Sequence, residues 1–251
     1  MTEVSGIATV HPDNEVRLDT VGKPIANTEI KIAEDGEILV RTPAVMAGYY
    51  KRPEATAEAL KDGWLYTGDV GMLTEDGHLV YLGRKEDMQR LEDGTNFSAL
   101  FIENMLKFSP YIKEAFVYGE GKPYIVAIIN INFDVVSKWA EKHGIAYTSY
   151  QDLSQKKEVY DLLEEVIKKV NATLPERLRI KAFTSLFKEF HPDDGEMTRT
   201  RKLRRVFITE KYKGLLEAMY RGDSTYRLRL QIRYEDGSVR DVEMEVSIRR
   251  L

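Results

Sequence analysis

The periodicity of the chain changes at Gly83-Arg84-Lys85-Glu86-Asp87, and that change limits the fold more than any other feature. Before it, residues 1–82 are short alternating runs punctuated by Asp-Gly and Asn turns, a pattern that predicts antiparallel strands and hairpins. Residues 37–41 follow the turn Glu34-Asp35-Gly36, and residues 78–82 follow Glu75-Asp76-Gly77. Between them, 53–60 opens with Pro beside an acid, which predicts a short helix closed by Asp62-Gly63. Gly63-Trp64-Leu65-Tyr66-Thr67-Gly68-Asp69 reads as a strand ending in a tight Gly-Asp turn that presents the Asp69 carboxylate.

After the change, helices and strands mix. Leu91-Glu92-Asp93-Gly94-Thr95-Asn96 is a turn, and Ser98 caps a helix that Pro110 ends near Phe108. Residues 115–118 and 124–129 flank Glu120-Gly121-Lys122-Pro123 as a hairpin with a buried second strand. Asp134 is placed to cap a helix ending near His143-Gly144. From about Ser154 to Leu174, Val159, Leu162, Leu163, Val166, Ile167 and Val170 recur at three- and four-residue spacing, the clearest amphipathic helix in the chain. A strand over 182–190 leads through a Gly195-Glu196 turn to the basic stretch 198–205, and then to a helix capped by Thr209 and ending at Arg221-Gly222. Residues 226–234 and 239–248 alternate strictly around Glu235-Asp236-Gly237-Ser238, a two-stranded hairpin. The expected fold class is α+β, divided into a β-rich part (1–83), a small mixed part (84–222) and a hairpin extension (223–251).

The charge balance of 37 basic against 41 acidic residues is evenly interspersed, which argues against nucleic acid as a partner. No stretch reaches the roughly 20 apolar residues of a membrane span; the longest run, 124–133, contains Asn130 and Asn132. With no cysteine there is no disulfide framework, and a reducing compartment fits. A secretory leader is not expected from Met1-Thr2-Glu3, and the abrupt opening inside what reads as a motif suggests a piece of a longer protein.

No Gly-rich phosphate loop or nucleophile elbow is present. His11, His78, His143 and His191 are scattered without ligand spacing, so each is expected to be a surface or turn residue. Three features remain. The two oxygens of Asp69 can accept from the vicinal hydroxyls of a ribose, although spacing alone favours a plain Asx turn. Arg84 can reach ribose or phosphate, or simply be solvated. Arg199, Arg201, Lys202, Arg204 and Arg205 crowd one loop without the interleaved aromatics of a single-strand binder. A lysine there can stabilise a phosphoryl transition state, while charge alone favours a solvated loop.

Gly36-Glu37-Ile38-Leu39-Val40-Arg41, Gly48-Tyr49-Tyr50-Lys51-Arg52-Pro53-Glu54-Ala55-Thr56, the stretch from Asp62 to Asp69, and Gly83-Arg84-Lys85-Glu86-Asp87 together resemble the adenylate-forming superfamily over about residues 1–215. Ser109-Pro110-Tyr111, Gly121-Lys122-Pro123-Tyr124 and Gly195-Glu196-Met197-Thr198-Arg199-Thr200-Arg201-Lys202 resemble its bacterial long-chain fatty acid–CoA ligases. The resemblance implies the β-rich end of a large AMP-binding domain followed by the small mobile C-terminal domain, with the rest of the large domain upstream as its partner. It implies a cytoplasmic enzyme, with peripheral membrane attachment left open, that uses ATP, Mg²⁺, coenzyme A and a fatty acid. Thr2 would contact the nucleotide phosphate and Glu3 would hold Mg²⁺; Asp69 would hold the ribose with Arg84 assisting. Lys202 would bridge the carboxylate substrate and the α-phosphate, Glu86 would be the hinge, and the Gly94 loop would face CoA in the thioester step.

Three departures bear on that step: Glu86 at a position usually Asp or Lys, Gln89-Arg90 after it, and Phe97-Ser98-Ala99-Leu100 before the helix. Two rival readings follow. One is a degenerate relative that acts as a binding module with the terminal hairpin as its contact edge. The other is an adenylation domain for a different carboxylic acid.

Overall fold

A computed structural model describes residues 1–233 and 239–251, so the expected turn at Glu235-Asp236-Gly237-Ser238 lies outside the described residues. The chain divides into two compact units, Met1–Met88 and Gln89–Leu251.

In the first unit β1 (Thr9–Val10) pairs with β2 (Lys23–Pro24), and β3 (Glu29–Ile32) and β4 (Glu37–Arg41) form a hairpin. Helix α1 (Pro53–Ala59) is followed by β5 (Leu60–Lys61), which turns through Asp62-Gly63 into the ten-residue strand β6 (Trp64–Leu73). Both turn residues have positive φ, 51° and 78°, the geometry of a two-residue hairpin turn. Strand β7 (Leu79–Arg84) closes the sheet on β6. Gly71 is required where it stands, because a Cβ there would lie 2.6 Å from the Val80 carbonyl oxygen and 2.7 Å from Ile38 Cδ1. The core under the sheet is small: Val4, Ile38, Val40, Leu65 and Leu79. His78 is buried rather than at the surface, its Nδ1 3.0 Å from Thr20 Oγ1.

The second unit begins with the short hairpin β8 (Gln89–Arg90) and β9 (Asn96–Phe97). Helix α2 (Ala99–Lys107) starts where expected, with Ser98 Oγ accepting from Phe101 N at 3.0 Å. Strands β10 (Ile112–Tyr118) and β11 (Ile125–Ile131) pair antiparallel, and every residue of β11 is buried. Helix α3 (Phe133–Lys142) has Asn132 at its N-cap position, so Asp134 sits in its first turn and does not cap it. Before the amphipathic helix α5 (Lys157–Thr173) comes a separate short helix, α4 (Tyr150–Ser154). Strand β12 (Ile180–Ser185) runs parallel to β11 and is shorter than the apolar run suggested.

The single expected C-terminal helix is two, α6 (Arg205–Lys211) and α7 (Lys213–Arg221), and α6 has its N-cap at Arg204, upstream of Thr209. The terminal hairpin consists of β13 (Thr225–Arg233) and β14 (Val239–Ser247), and β15 (Arg249–Arg250) then adds to the edge of β12.

The order β10-β11-β12-β15 leaves a sheet with both faces covered, which is why β11 reads as an unbroken apolar run. On one face Ala115, Val117, Ile125, Ala127 and Ile129 pack with α2, α3 and α5. On the other, Phe116, Val126, Ile128 and Ala182 pack with α6, α7 and the hairpin residues Leu228, Leu230 and Val246. One face of the hairpin is therefore core, and β13-β14 remains a two-stranded sheet of its own. Gly214 permits the close approach, since a Cβ there would lie 2.2 Å from the Tyr226 hydroxyl.

Candidate functional site

The expected turn at Gly68-Asp69 is instead a bulge within β6. Opposite β4 the pairing passes from Leu39↔Tyr66 to Glu37↔Val70, so extra residues of β6 loop out. Gly68, at φ 68°, supplies the left-handed conformation this needs. Its N–H donates to Glu37 Oε1 at 2.8 Å, and Asp69 N donates to Thr67 Oγ1 at 3.1 Å. Thus Thr67, not Asp69, makes the local side-chain turn, and the Asp69 carboxylate is left for other partners. Lys85 Nζ holds Glu37 Oε2 at 3.0 Å and Asp35 Oδ2 at 2.6 Å, fixing the far side of the bulge.

Cross-strand register places Asp69 opposite Arg84. Arg84 Nη1 reaches Asp69 Oδ1 at 3.1 Å and the Thr67 carbonyl at 3.0 Å. The Asp69 side chain is 18% exposed, while that of Arg84 is 54% exposed. Burial pushes the Asp69 carboxyl above its usual range even with Arg84 beside it, and the negative charges of Glu3 and Glu37 push the same way. Hydroxyl donors would favour the charged form, so a diol is a fitting ligand for this carboxylate.

Thr2 and Glu3 form a 3-10 turn (Thr2–Val4) tied to the 42–49 segment, with Met46 N donating to Glu3 O at 2.7 Å. Tyr49 Oη donates to Glu3 Oε1 at 3.2 Å, and burial followed by the Glu3 charge raises the Tyr49 phenol. Glu3, Tyr49, Asp69 and Arg84 therefore share one electrostatic neighbourhood, with Thr2 exposed beside it. Tyr49 had no role assigned from sequence; its place in Gly48-Tyr49-Tyr50 was the available signal. Among the described residues no group of three or more His, Asp or Glu side chains could hold a metal alone. A single carboxylate such as Glu3 still fits Mg²⁺, which keeps most of its shell as water and substrate phosphate. Glu86 is exposed on the 3-10 turn Lys85–Asp87, at the end of this unit.

In the second unit Gly94 occupies the β8–β9 turn at φ 89°. Its neighbour Asp93 accepts from Thr95 N at 3.0 Å and from Arg177 Nε at 2.5 Å, and these bonds lower its carboxyl to about 2. Lys202 stands on a small closed loop. Met197 and Leu203 form an antiparallel bridge, Thr198 N donates to Lys202 O at 2.8 Å, and Lys202 N donates to Thr198 Oγ1 at 3.0 Å. Arg201 takes φ 59° at the tip, and Arg199, Thr200, Arg201 and Lys202 are all exposed.

The basic cluster thus divides. Arg204 donates to the Gly195 carbonyl at 3.2 Å. Arg205 donates to the Val117 carbonyl at 3.1 Å and to the carboxylate of Glu103. Burial raises the Glu103 carboxyl despite Arg205. Glu196, expected in a turn, has 0% exposure and accepts from Lys188, Lys211, Tyr212 and the His191 backbone. No sequence pattern joins these residues, which come from separate elements.

Among the described residues no helix is long and apolar enough to cross a membrane. Residues 86–224 match the family described as AMP-binding enzyme C-terminal domain, and residues 1–50 match AMP-binding enzyme. A long-chain-fatty-acid–CoA ligase, FadD15 of Mycobacterium bovis, is 34% identical over 221 residues, covering 88% of this chain and 37% of that protein. The chain therefore spans little more than a third of the length of that relative. Among solved structures, apo MatB of Rhodopseudomonas palustris aligns with TM-score 0.62 at 20% identity, covering 86% of this chain and 40% of that one, a likeness of fold. O-succinylbenzoate coenzyme A synthetase (MenE) of Bacillus subtilis, in complex with AMP, aligns with TM-score 0.51 at 25% identity, covering 82% and 39%. The mixed α/β fold and these matches agree with the resemblance read from the motifs: the chain belongs to the AMP-binding, adenylate-forming enzymes and carries their C-terminal domain.

Proposed function

We propose that the chain is the C-terminal portion of an ATP-dependent fatty acid–CoA ligase acting on long-chain substrates. The observation that carries this reading is the 34% identity to a long-chain-fatty-acid–CoA ligase over 88% of the chain, across both units. In this reading Asp69 accepts the ribose hydroxyls and Arg84 keeps the carboxylate ionised while adding a donor of its own. Thr2 donates to the nucleotide phosphate, and Glu3, steadied by Tyr49, is the protein ligand to Mg²⁺. The metal supplies charge neutralisation at the phosphates.

Lys202 is a compact cation on a flexible stem, suited to a position between the fatty-acid carboxylate and the α-phosphate. Attack of that carboxylate gives acyl-AMP and releases pyrophosphate, and Lys202 offsets the charge that develops. The CoA thiol then forms the thioester and AMP leaves. Between the steps the C-terminal domain turns about Glu86, withdrawing Lys202 and bringing the Gly94 turn toward CoA.

In the full-length protein, Lys202→Ala should lower ATP–pyrophosphate exchange by about 10²-fold or more, as loss of a transition-state charge contact does. Thioester formation from supplied acyl-AMP should fall far less. Equal loss in both half-reactions would remove the role given to Lys202. This 251-residue chain alone should show no exchange with any fatty acid. The likeness to O-succinylbenzoate coenzyme A synthetase supports a second reading, a ligase for another carboxylic acid. A panel of fatty, aryl and amino acids in the exchange assay separates the two.

A further inference from the structure

The loop that carries Lys202 is built on a buried charge network. Glu196 accepts from Lys188 Nζ at 2.7 Å, Lys211 Nζ at 2.7 Å, Tyr212 Oη at 2.6 Å and His191 N at 3.0 Å. Its donors come from three places: Lys188 in the segment after β12, His191 just before the turn Pro192–Asp194, and Lys211 and Tyr212 at the junction of α6 with α7. Lys188 also pairs with Asp194 Oδ2, so the Glu196 side chain joins these segments at one point.

The Glu196 main chain continues into the loop. Its carbonyl accepts from Arg204 N at 2.8 Å, next comes the Met197↔Leu203 bridge, and above it both the N–H and the carbonyl of Lys202 are bonded to Thr198. Met197 and Leu203 pack into the core below. A ladder of short contacts therefore runs from the buried carboxylate to the Lys202 backbone, while the Lys202 side chain stays exposed.

Burying ions is costly, and apolar side chains of similar size would often be at least as stable there. Such a network gains most by fixing a geometry. We propose that Glu196 is the positioning residue for Lys202, holding the loop at the height and direction from which the lysine reaches the reacting phosphate. The inference rests on the adenylation role proposed for Lys202.

Two measurements test it. In this chain, Glu196→Gln should speed tryptic cleavage after Arg199, Arg201 and Lys202 several-fold relative to cleavage after Arg221, read by mass spectrometry. A general loss of stability would raise all sites together. In the full-length protein, Glu196→Gln should lower kcat for adenylation between tenfold and a hundredfold, in line with the cost of small misplacements. KM for ATP and the thioester half-reaction should stay within twofold, and Glu196→Asp should restore part of the loss.

Should Glu196→Gln fail to fold, Tyr212→Phe removes one donor and is expected to show the same pattern more weakly. Lys202→Ala, run in parallel, keeps the two ideas separable. If it leaves adenylation intact, the role of Lys202 fails and this inference fails with it. If it depresses adenylation while the Glu196 and Tyr212 variants do not, or if those variants reduce both half-reactions equally, Glu196 does not position Lys202.

Discussion

In the first unit, the charges proposed to meet the nucleotide are placed by strand register. Asp69 and Arg84 face each other across β6 and β7, the carboxylate is partly desolvated, and the guanidinium is half in water. In the second unit the cation proposed for catalysis, Lys202, stands in water, while the buried carboxylates Glu196 and Glu103 lie in the interior with their cationic partners. A binding carboxylate must be able to exchange its protein partner for a ligand, so its site is left incompletely satisfied. A loop lysine has too many rotamers to be fixed through its own side chain, so its backbone is fixed instead. Ligand groups should therefore tolerate substitution in terms of stability, and anchors should not.

The largest effect is expected at the deepest anchor. Glu196→Ala leaves Lys188 and Lys211 with one acceptor fewer in the interior, and should destabilise the second unit by about 3–5 kcal/mol. Urea unfolding followed by the fluorescence of Trp139, with Trp64 of the first unit replaced by Phe in both proteins compared, reads this. A loss below about 1 kcal/mol would place Glu196 among ordinary surface carboxylates and break the comparison.

Next is Arg205→Ala, about 2 kcal/mol, because the guanidinium is partly exposed while Glu103 is not. Its pH dependence has a definite sign. The Glu103 carboxyl is raised above 4.5 in the folded state, so the folded protein holds the proton more tightly than the unfolded chain. The contribution of Glu103 to stability is therefore fully present below 4.5 and is lost as pH rises through the raised value. Without Arg205 that loss should steepen, and Glu103→Leu in the same chain should largely remove it. Urea titrations at a series of pH values check both.

The parts of the molecule that could be read in advance are those set by neighbours in sequence. Alternation gave the strands of the first unit, the unbroken apolar run gave β11, and Ser98 gave the start of α2. The misreadings share one cause, a local signal outweighed by a distant partner. A glycine followed by a small acid is the signature of a turn as well as of a bulge, and only continued pairing with β7 makes Gly68-Asp69 the latter. Thr209 looks like a helix cap, yet α6 starts earlier because Arg204 and Arg205 are held by Glu196 and Glu103. Tyr212 interrupts the helix where its hydroxyl meets Glu196 at 2.6 Å. Lys202 could be singled out by motif; what holds it could not, because its anchors are scattered along the chain.

Asp69→Asn should have a smaller effect of the opposite sign. Because burial raises the Asp69 carboxyl above 3.8, its charged form is slightly disfavoured in the folded state. Removing the charge should leave the first unit as stable or slightly more stable at pH 7, with the difference vanishing as pH falls below 3.8. In the full-length protein the same change should weaken nucleotide binding. Thermal melts of wild type and variant across that range test the first part, and ATP titration the second.

The smallest expected effect lies at the Gly94 turn, where exposure should make charge matter least. Asp93 is held at about 2 chiefly by the Thr95 N–H and then by Arg177. A lowered carboxyl contributes stability that is fully present above its ordinary value of 3.8 and is lost as pH falls through about 2. Asp93→Asn should therefore lower the thermal midpoint of the second unit modestly at pH 6, and the difference should shrink as pH falls through about 2. Arg177→Ala should lower it less, because the backbone bond remains. If instead Arg177→Ala cost as much as Glu196→Ala, an exposed pair would be acting as an anchor, and burial would not be what separates the two kinds of site.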